Sequence, residues 1–427
     1  MSTPETTRRR WPRALLRWTV VVAAAAAAAT SPHALVALLL PATSPFLVLG
    51  GAIAVRTLPL ALVLAIPVAV LVLRRGRWFC RNLCPTGHLL DQAARLRPSA
   101  RTRYRRFPSL GRWIVLATLG GALLGWPVFL WLDPLSLFNA FFSAWGSAAL
   151  AAAGRPPGLA LPAGLAAVSG ALLPVLLVLS ACRPNLWCQR LCPLGASQDL
   201  LAGLRRARVG AATTAAKPAL EKSISMPGRR DFLRGLAGIA AGAAAAGTVR
   251  VLSPFAAPSR MPIRPPGSVP EPRMSATCAR CGNCLRACPE GVIHPALLDA
   301  GPLDLWTPVL RFGPSYCSEA CHACNHVCPT GAIATMGPEE KLRVAVGFAV
   351  VDEDTCIAFA EGRECMVCEE YCPFRAIEIV ARDGEAGPVV DEDLCRGCGL
   401  CEIVCPTAPA AIVVEGRPQR LLDPIDL

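Results

Sequence analysis

The chain has 427 residues, 53% hydrophobic and only 17% charged, with 43 Lys/Arg against 30 Asp/Glu and 21 cysteines. So little charge in so long a chain excludes an ordinary soluble globular protein. The charge is also divided: residues 1–273 carry 32 basic against 7 acidic side chains, and residues 274–427 carry 11 against 23.

In chain order, four apolar stretches reach bilayer length, at about 15–40, 57–73, 113–132 and 160–181; a spanning helix needs roughly 20 residues. Arginines crowd the N-terminus (Arg8, Arg9, Arg10, Arg13, Arg17), and eleven more fill the segment from Arg74 to Arg112. Others follow the fourth stretch at Arg183, Arg190, Arg205, Arg206 and Arg208, while loops 41–56 and 133–159 hold one each. The positive-inside rule therefore places both ends of a four-span helical module, residues 1–210, on the cytoplasmic side. Arginines that alternate with spans argue against nucleic acid as a partner.

Each basic segment after the second and fourth stretches carries a truncated metal-binding motif. One is Trp78-Phe79-Cys80-Arg81-Asn82-Leu83-Cys84-Pro85-Thr86-Gly87-His88, and its near copy is Leu186-Trp187-Cys188-Gln189-Arg190-Leu191-Cys192-Pro193-Leu194-Gly195-Ala196. The repetition implies a duplicated two-helix unit whose motifs meet at the inner face. The four thiols Cys80, Cys84, Cys188 and Cys192 suffice for one iron–sulfur cluster, with Cys182 a spare fifth. Two clusters would need ligands from elsewhere, and the spacing leaves both counts open.

Next comes Pro227-Gly228-Arg229-Arg230-Asp231-Phe232-Leu233-Arg234 and a Gly/Ala-rich run to about Leu252. Paired arginines before such a run form a twin-arginine export signal, here in mid-chain. Residues 223–273 are thus read as signal, retained fifth helix and Pro-rich linker. The domain beyond, 274–427, is expected outside the inner membrane of a bacterium, in the periplasm.

That domain holds sixteen cysteines in four clusters, each ending in Cys-Pro. The first (Cys278, Cys281, Cys284, Cys288) and last (Cys395, Cys398, Cys401, Cys405) have the Cys-x2-Cys-x2-Cys-x3-Cys-Pro run of bacterial [4Fe–4S] ferredoxins. Two variants lie between, Cys317, Cys321, Cys324 and Cys328, then Cys356, Cys365, Cys368 and Cys372. Three thiolates in a tight loop wrap one cubane, and the fourth serves the other cluster of a pair. Zinc and disulfides explain no fourfold Cys-Pro ending. Before Cys356 and Cys395 the chain reads as strand, acidic turn, ligand. After the Cys-Pro endings come Val292-Ile293, Ala332-Ile333, Ala376-Ile377 and Ala411-Ile412, returning strands of duplicated ferredoxin units. The fold class is therefore a membrane α-helical module, four spans plus a signal-anchor helix, followed by an α+β polyferredoxin domain with four [4Fe–4S] clusters.

With these residues in hand, the chain resembles two proteins joined. Its first 210 residues are similar to the membrane ferredoxin subunit that accompanies periplasmic nitrate reductase. Residues 223–427 resemble the exported partner of that subunit, and also the methylamine-utilisation ferredoxin. The resemblance implies a quinol dehydrogenase component that takes electrons from the quinone pool to a periplasmic redox enzyme. It also implies that the first motif pairs with the fourth and the second with the third, so that Cys405 completes the set of Cys278, Cys281 and Cys284. The alternative is an electron donor for maturing a metal or quinone cofactor of a periplasmic enzyme. A quinol site needs a proton acceptor near the membrane: His33 and Asp133 sit at predicted outer helix ends, and His88 lies beside the inner motif. His322 and His326 lie inside the second motif, placed to tune or shield it. No haem motif, dinucleotide loop or nucleophile–base pair occurs, so substrate chemistry belongs to the partner.

Overall fold

Runs of Ala, Leu and Val broken only by short polar turns make the first half helical. In the computed structural model, the described residues are 10–30, 34–59, 61–96, 108–152, 170–212, 229–252, 261–297, 301–313, 315–382 and 385–423. The helices are α1 (Arg10–Thr30), α2 (Ala34–Ala42), α3 (Pro45–Val55), α4 (Ala61–Arg75), α5 (Trp78–Asn82), α6 (Pro85–Arg95), α7 (Leu110–Leu123), α8 (Pro134–Ala152), α9 (Leu172–Cys182), α10 (Pro193–Ala212) and α11 (Arg229–Leu252).

The first apolar stretch is divided between α1 and α2, and a sharp bend follows just beyond it. Ser44 caps α3 by accepting from the Leu47 N–H at 3.3 Å, and Pro45 starts that helix, so α2 and α3 meet at 95°. Among the described residues no single helix is long and apolar enough to cross a membrane, but this bent pair passes by length and composition. The third stretch ends early, at Leu123, before the Trp126-Pro127 turn. Residues 133–159, expected as a loop, contain α8 instead. Its cap is Asp133, whose carboxylate accepts from Leu135 N–H at 3.0 Å, Ser136 N–H at 3.1 Å and the Ser44 hydroxyl at 2.6 Å.

Helix α11 lies parallel along α7. Gly242 seats on the Ala117 backbone and Gly120 on the Ile239 carbonyl, so closely that any Cβ would strike main chain. Glycine is required at both positions by that approach. Arg229 and Arg230 open α11.

Among the described residues the second half contains three antiparallel two-stranded sheets. They pair β1 (Ile293–Pro295) with β2 (Pro308–Leu310), β3 (Val344–Val351) with β6 (Ile412–Leu421), and β4 (Ile377–Arg382) with β5 (Glu385–Val390). Duplication is visible in the hydrogen bonds. Asp352 N–H donates to Ala411 O at 2.7 Å as Asp391 N–H donates to Ala376 O at 2.8 Å. Each aspartate also accepts from the N–H two residues on, Asp354 at 3.2 Å and Asp393 at 2.8 Å, fixing the acidic turn before the cysteine.

Where the linker enters, Arg264 is only 4% exposed and reaches Glu271, Asp304 (2.8 Å), the Thr307 hydroxyl (2.8 Å) and Pro308 O (2.9 Å). Arg264→Met leaves two buried carboxylates facing one another, which should cost about 3–5 kcal/mol. Urea melting followed by cluster absorbance should show an earlier midpoint than wild type.

The halves meet along a polar seam. Asn139 of α8 donates to Cys281 O and to Asn283 Oδ1, both at 2.7 Å. Arg273 donates to Ala54 O at 2.7 Å and Gly125 O at 3.3 Å, while Arg286 reaches the carbonyls of Ala27 and Ala28 at the end of α1. Gly51 of α3 sits directly on Thr330.

Candidate metal centres

Five groups of four thiols are brought together, and all 21 cysteines are free of disulfides. Set I gathers Cys80, Cys84, Cys188 and Cys192, so the two half-motifs form one site. Each repeat builds it in the same way. The second cysteine heads a helix (α6 or α10), and its sulfur accepts from the glycine N–H three residues on, Gly87 at 3.3 Å and Gly195 at 3.4 Å. Those glycines pack equally on Cys80 O and Cys188 O. A π turn, Trp187–Leu191, carries Cys188.

Sets II to V lie in the second half. Cys278, Cys281 and Cys284 line one cavity with Cys328, and Cys317, Cys321 and Cys324 gather with Cys288. Cys395, Cys398 and Cys401 share a cavity with Cys372, and Cys356, Cys365 and Cys368 share one with Cys405. This corrects the pairing implied by the resemblance: motif one joins two and motif three joins four. Adjacent motifs exchange their last cysteines because each antiparallel unit folds back on its immediate neighbour.

The fit to a cubane rests on the donors around these cavities. Three of the four Cys-Pro sulfurs there accept an N–H from the returning segment: Ile333 on Cys328, Ala376 on Cys372 and Ala411 on Cys405, each at 3.4 Å. Gly282 and Gly399, at φ 77° and 85°, start the short helices that aim the third cysteines, Cys284 and Cys401. Burial pushes the Cys278 and Cys368 thiols up to about 11 and Cys398 up to about 12. Such thiols ionise only against a bound cation. Among the described residues no group of three or more His, Cys, Asp or Glu side chains is arranged to hold a single metal ion.

The sets stand in single file. Ala196, one turn past Cys192 of set I, shares a buried cluster with Phe46, Leu130 and Ala279 of the set II loop. Cys284 of set II neighbours Cys324 of set III, and Cys317 N–H of set III donates to Cys398 O of set IV at 2.9 Å. Cys401 of set IV neighbours Cys368 of set V. The order is I, II, III, IV, V.

Other candidates fall differently. Asp133, expected at an outer helix end, lies against the first half-motif: Thr86, two residues past Cys84, donates to Pro134 O at 2.6 Å. Its oxygens are occupied by the α8 cap. His88 is buried against Trp18, ring centroids 4.7 Å apart, and its Nδ1 has no partner. His322 and His326 stack edge-on at 5.0 Å beside set III. Cys182 is exposed and joins no set. His33 lies outside the described residues. Two residues escaped the sequence reading, Arg77 and Asp199. Arg77 Nε donates to Asp199 Oδ1 at 2.6 Å, and its Nη1 donates to Cys188 O at 3.1 Å, bracing the second half-motif. The signal was present: Asp91 and Asp199 each stand seven residues after the second cysteine of a repeat.

Cavities of four buried or half-buried thiols on duplicated strand–turn–helix units define an iron–sulfur electron-transfer protein of the ferredoxin type. Comparison with known sequences agrees. The family described as a 4Fe-4S dicluster domain matches residues 277–332 and 363–408. The family described as a 4Fe-4S binding domain matches residues 56–103 and 164–211, one half-motif in each. The ferredoxin-type protein NapG of Escherichia coli (strain K12) is 36% identical over 200 residues, 44% of this chain and 85% of that protein. The methylamine utilization ferredoxin-type protein MauM of Methylophilus methylotrophus is 34% identical over 165 residues, 35% of this chain and 69% of that protein. The ferredoxin-type protein NapF of E. coli is 30% identical over 155 residues, 36% and 84% of the two chains. The chain belongs to the ferredoxin-type family of NapG and MauM. No solved structure matches it.

Proposed function

We propose that this is a membrane-anchored electron-transfer protein that takes electrons from quinol beside set I and delivers them past set V to a periplasmic redox enzyme. One observation carries the reading: five four-thiol sets in single file, with the helical half holding only the first. Each set holds a [4Fe–4S] cluster in this reading, and that group supplies one-electron oxidation and reduction. The chain's own residues fix the order of the sites and aim N–H groups at the sulfurs.

The membrane placement has separate support. Of the 29 large hydrophobic side chains exposed among the described residues, 23 lie between Leu15 and Val251. Apolar exposure of that extent needs a cover. Helix α11 leads from the set I end of α7 to the seam, the path a retained anchor would take to carry the second half across after twin-arginine export.

The test is anaerobic. The purified protein is mixed with a reduced menaquinone analogue, and cluster reduction is followed by EPR. Reduction at stoichiometric quinol is the expected result. Clusters that stay oxidised with quinol yet accept electrons from dithionite would remove quinol as donor and favour the alternative of a low-potential donor serving cofactor maturation.

A further inference from the structure

Beside set I lies a polar cavity of about 130 Å³ between the first turn of α7, the π turn and α10. A water molecule takes up about 30 Å³, so the space suits several waters or one tetrahedral anion with a water or two. Its walls include Arg77, Ser109, Arg112, Arg190, Cys192 and Asp199. Three guanidinium groups against one carboxylate leave an excess of two positive charges.

The three arginines are not equivalent. Arg77 is spent on Asp199 and on Cys188 O. Arg112 and Arg190 meet no carboxylate or carbonyl among the described residues. Ser109 is the N-cap of the fourteen-residue helix α7, and its hydroxyl makes no capping bond. That leaves a hydroxyl and the positive end of a helix facing the same space. Two unspent guanidinium forks around a cavity of this size are the chemistry that recognises phosphate oxygens.

We propose that this cavity is a binding site for a phosphate-class oxyanion, gripped by Arg112 and Arg190. The phosphate belongs either to an acidic lipid headgroup or to free inorganic phosphate. The cavity stands on its own residues; only the lipid source depends on the membrane placement proposed above.

The full-length protein, loaded with iron–sulfur clusters and in neutral detergent, is titrated with inorganic phosphate by calorimetry. In parallel, native mass spectrometry compares retention of phosphatidylglycerol with phosphatidylcholine. Saturable phosphate binding identifies the free anion, and selective retention of phosphatidylglycerol identifies the lipid. Either should weaken at least tenfold in the R112Q/R190Q double variant and return in part with Arg112→Lys and Arg190→Lys. The single variants replace the double one if its cluster absorbance shows that it has not folded. Absence of both forms of binding overturns the proposal. So does binding that the glutamine variants leave unchanged, because the anion then sits elsewhere.

Discussion

Cys328→Ala is expected to remove about four irons, one cubane, and the partner substitutions decide which one. With set II completed by Cys328, the double variant Cys278→Ala/Cys328→Ala should lose no more iron than either single variant. The double variant Cys356→Ala/Cys328→Ala should lose about eight, because it strikes two cubanes. If the second motif paired with the third, the two double variants would exchange results. Iron analysis with EPR spin counting of the dithionite-reduced proteins reads the difference. Cys405→Ala provides a second cross-check, since set V joins it to Cys356 rather than to Cys278.

The second large effect is expected at the seam. A Cβ on Gly51 would lie 2.5 Å from Thr330 O and 2.7 Å from its Cα, backbone on both sides. Neither α3 nor the Cys328-Pro329-Thr330 turn can yield by a side-chain rotation. Gly51→Ala should therefore cost about 1–3 kcal/mol of contact between the halves, while all five thiol sets keep their ligands. On the proposed quinol route the readout is electrical: after a quinol pulse, reduction of the second half should slow at least tenfold while iron content stays at the wild-type value. Unchanged rates would mean that the seam does not set the gap between set I and set II.

Much of the site was legible because its grammar is local. Three ligands of each set in the second half sit within a short loop, so spacing alone exposes them, and Cys-Pro-x-Gly marks set I twice. The fourth ligand was not legible. Which Cys-Pro completes which loop depends on how antiparallel units fold back, and spacing is silent on that. Helix α8 was missed because residues 133–159 lie between the third and fourth apolar stretches and hold a single arginine, which reads as an outer loop. Yet Ser136, Asn139 and Ser143, all buried, recur at steps of three and four, the period of one helical face. That stripe turns toward the second half, where Asn139 binds the set II loop and Ser143 packs on Gly282. The bent α2–α3 pair was hidden for a different reason. Ser44-Pro45 was read as part of a turn between spans, whereas it caps a new helix.

The neighbour-to-neighbour order of the thiol sets makes the described part of the molecule a series circuit. In such a circuit the slowest gap governs the whole current, and improving any other gap changes nothing. Damage also grades by position. On the proposed route, loss of set V silences only delivery, whereas loss of set II strands every site beyond it from the quinol side while leaving them open to an artificial reductant. A chain built this way gains reach at the cost of redundancy. Its most protected links should therefore be the interior ones, with the exposed loop between Cys356 and Cys365 the end at which oxygen first interrupts the current.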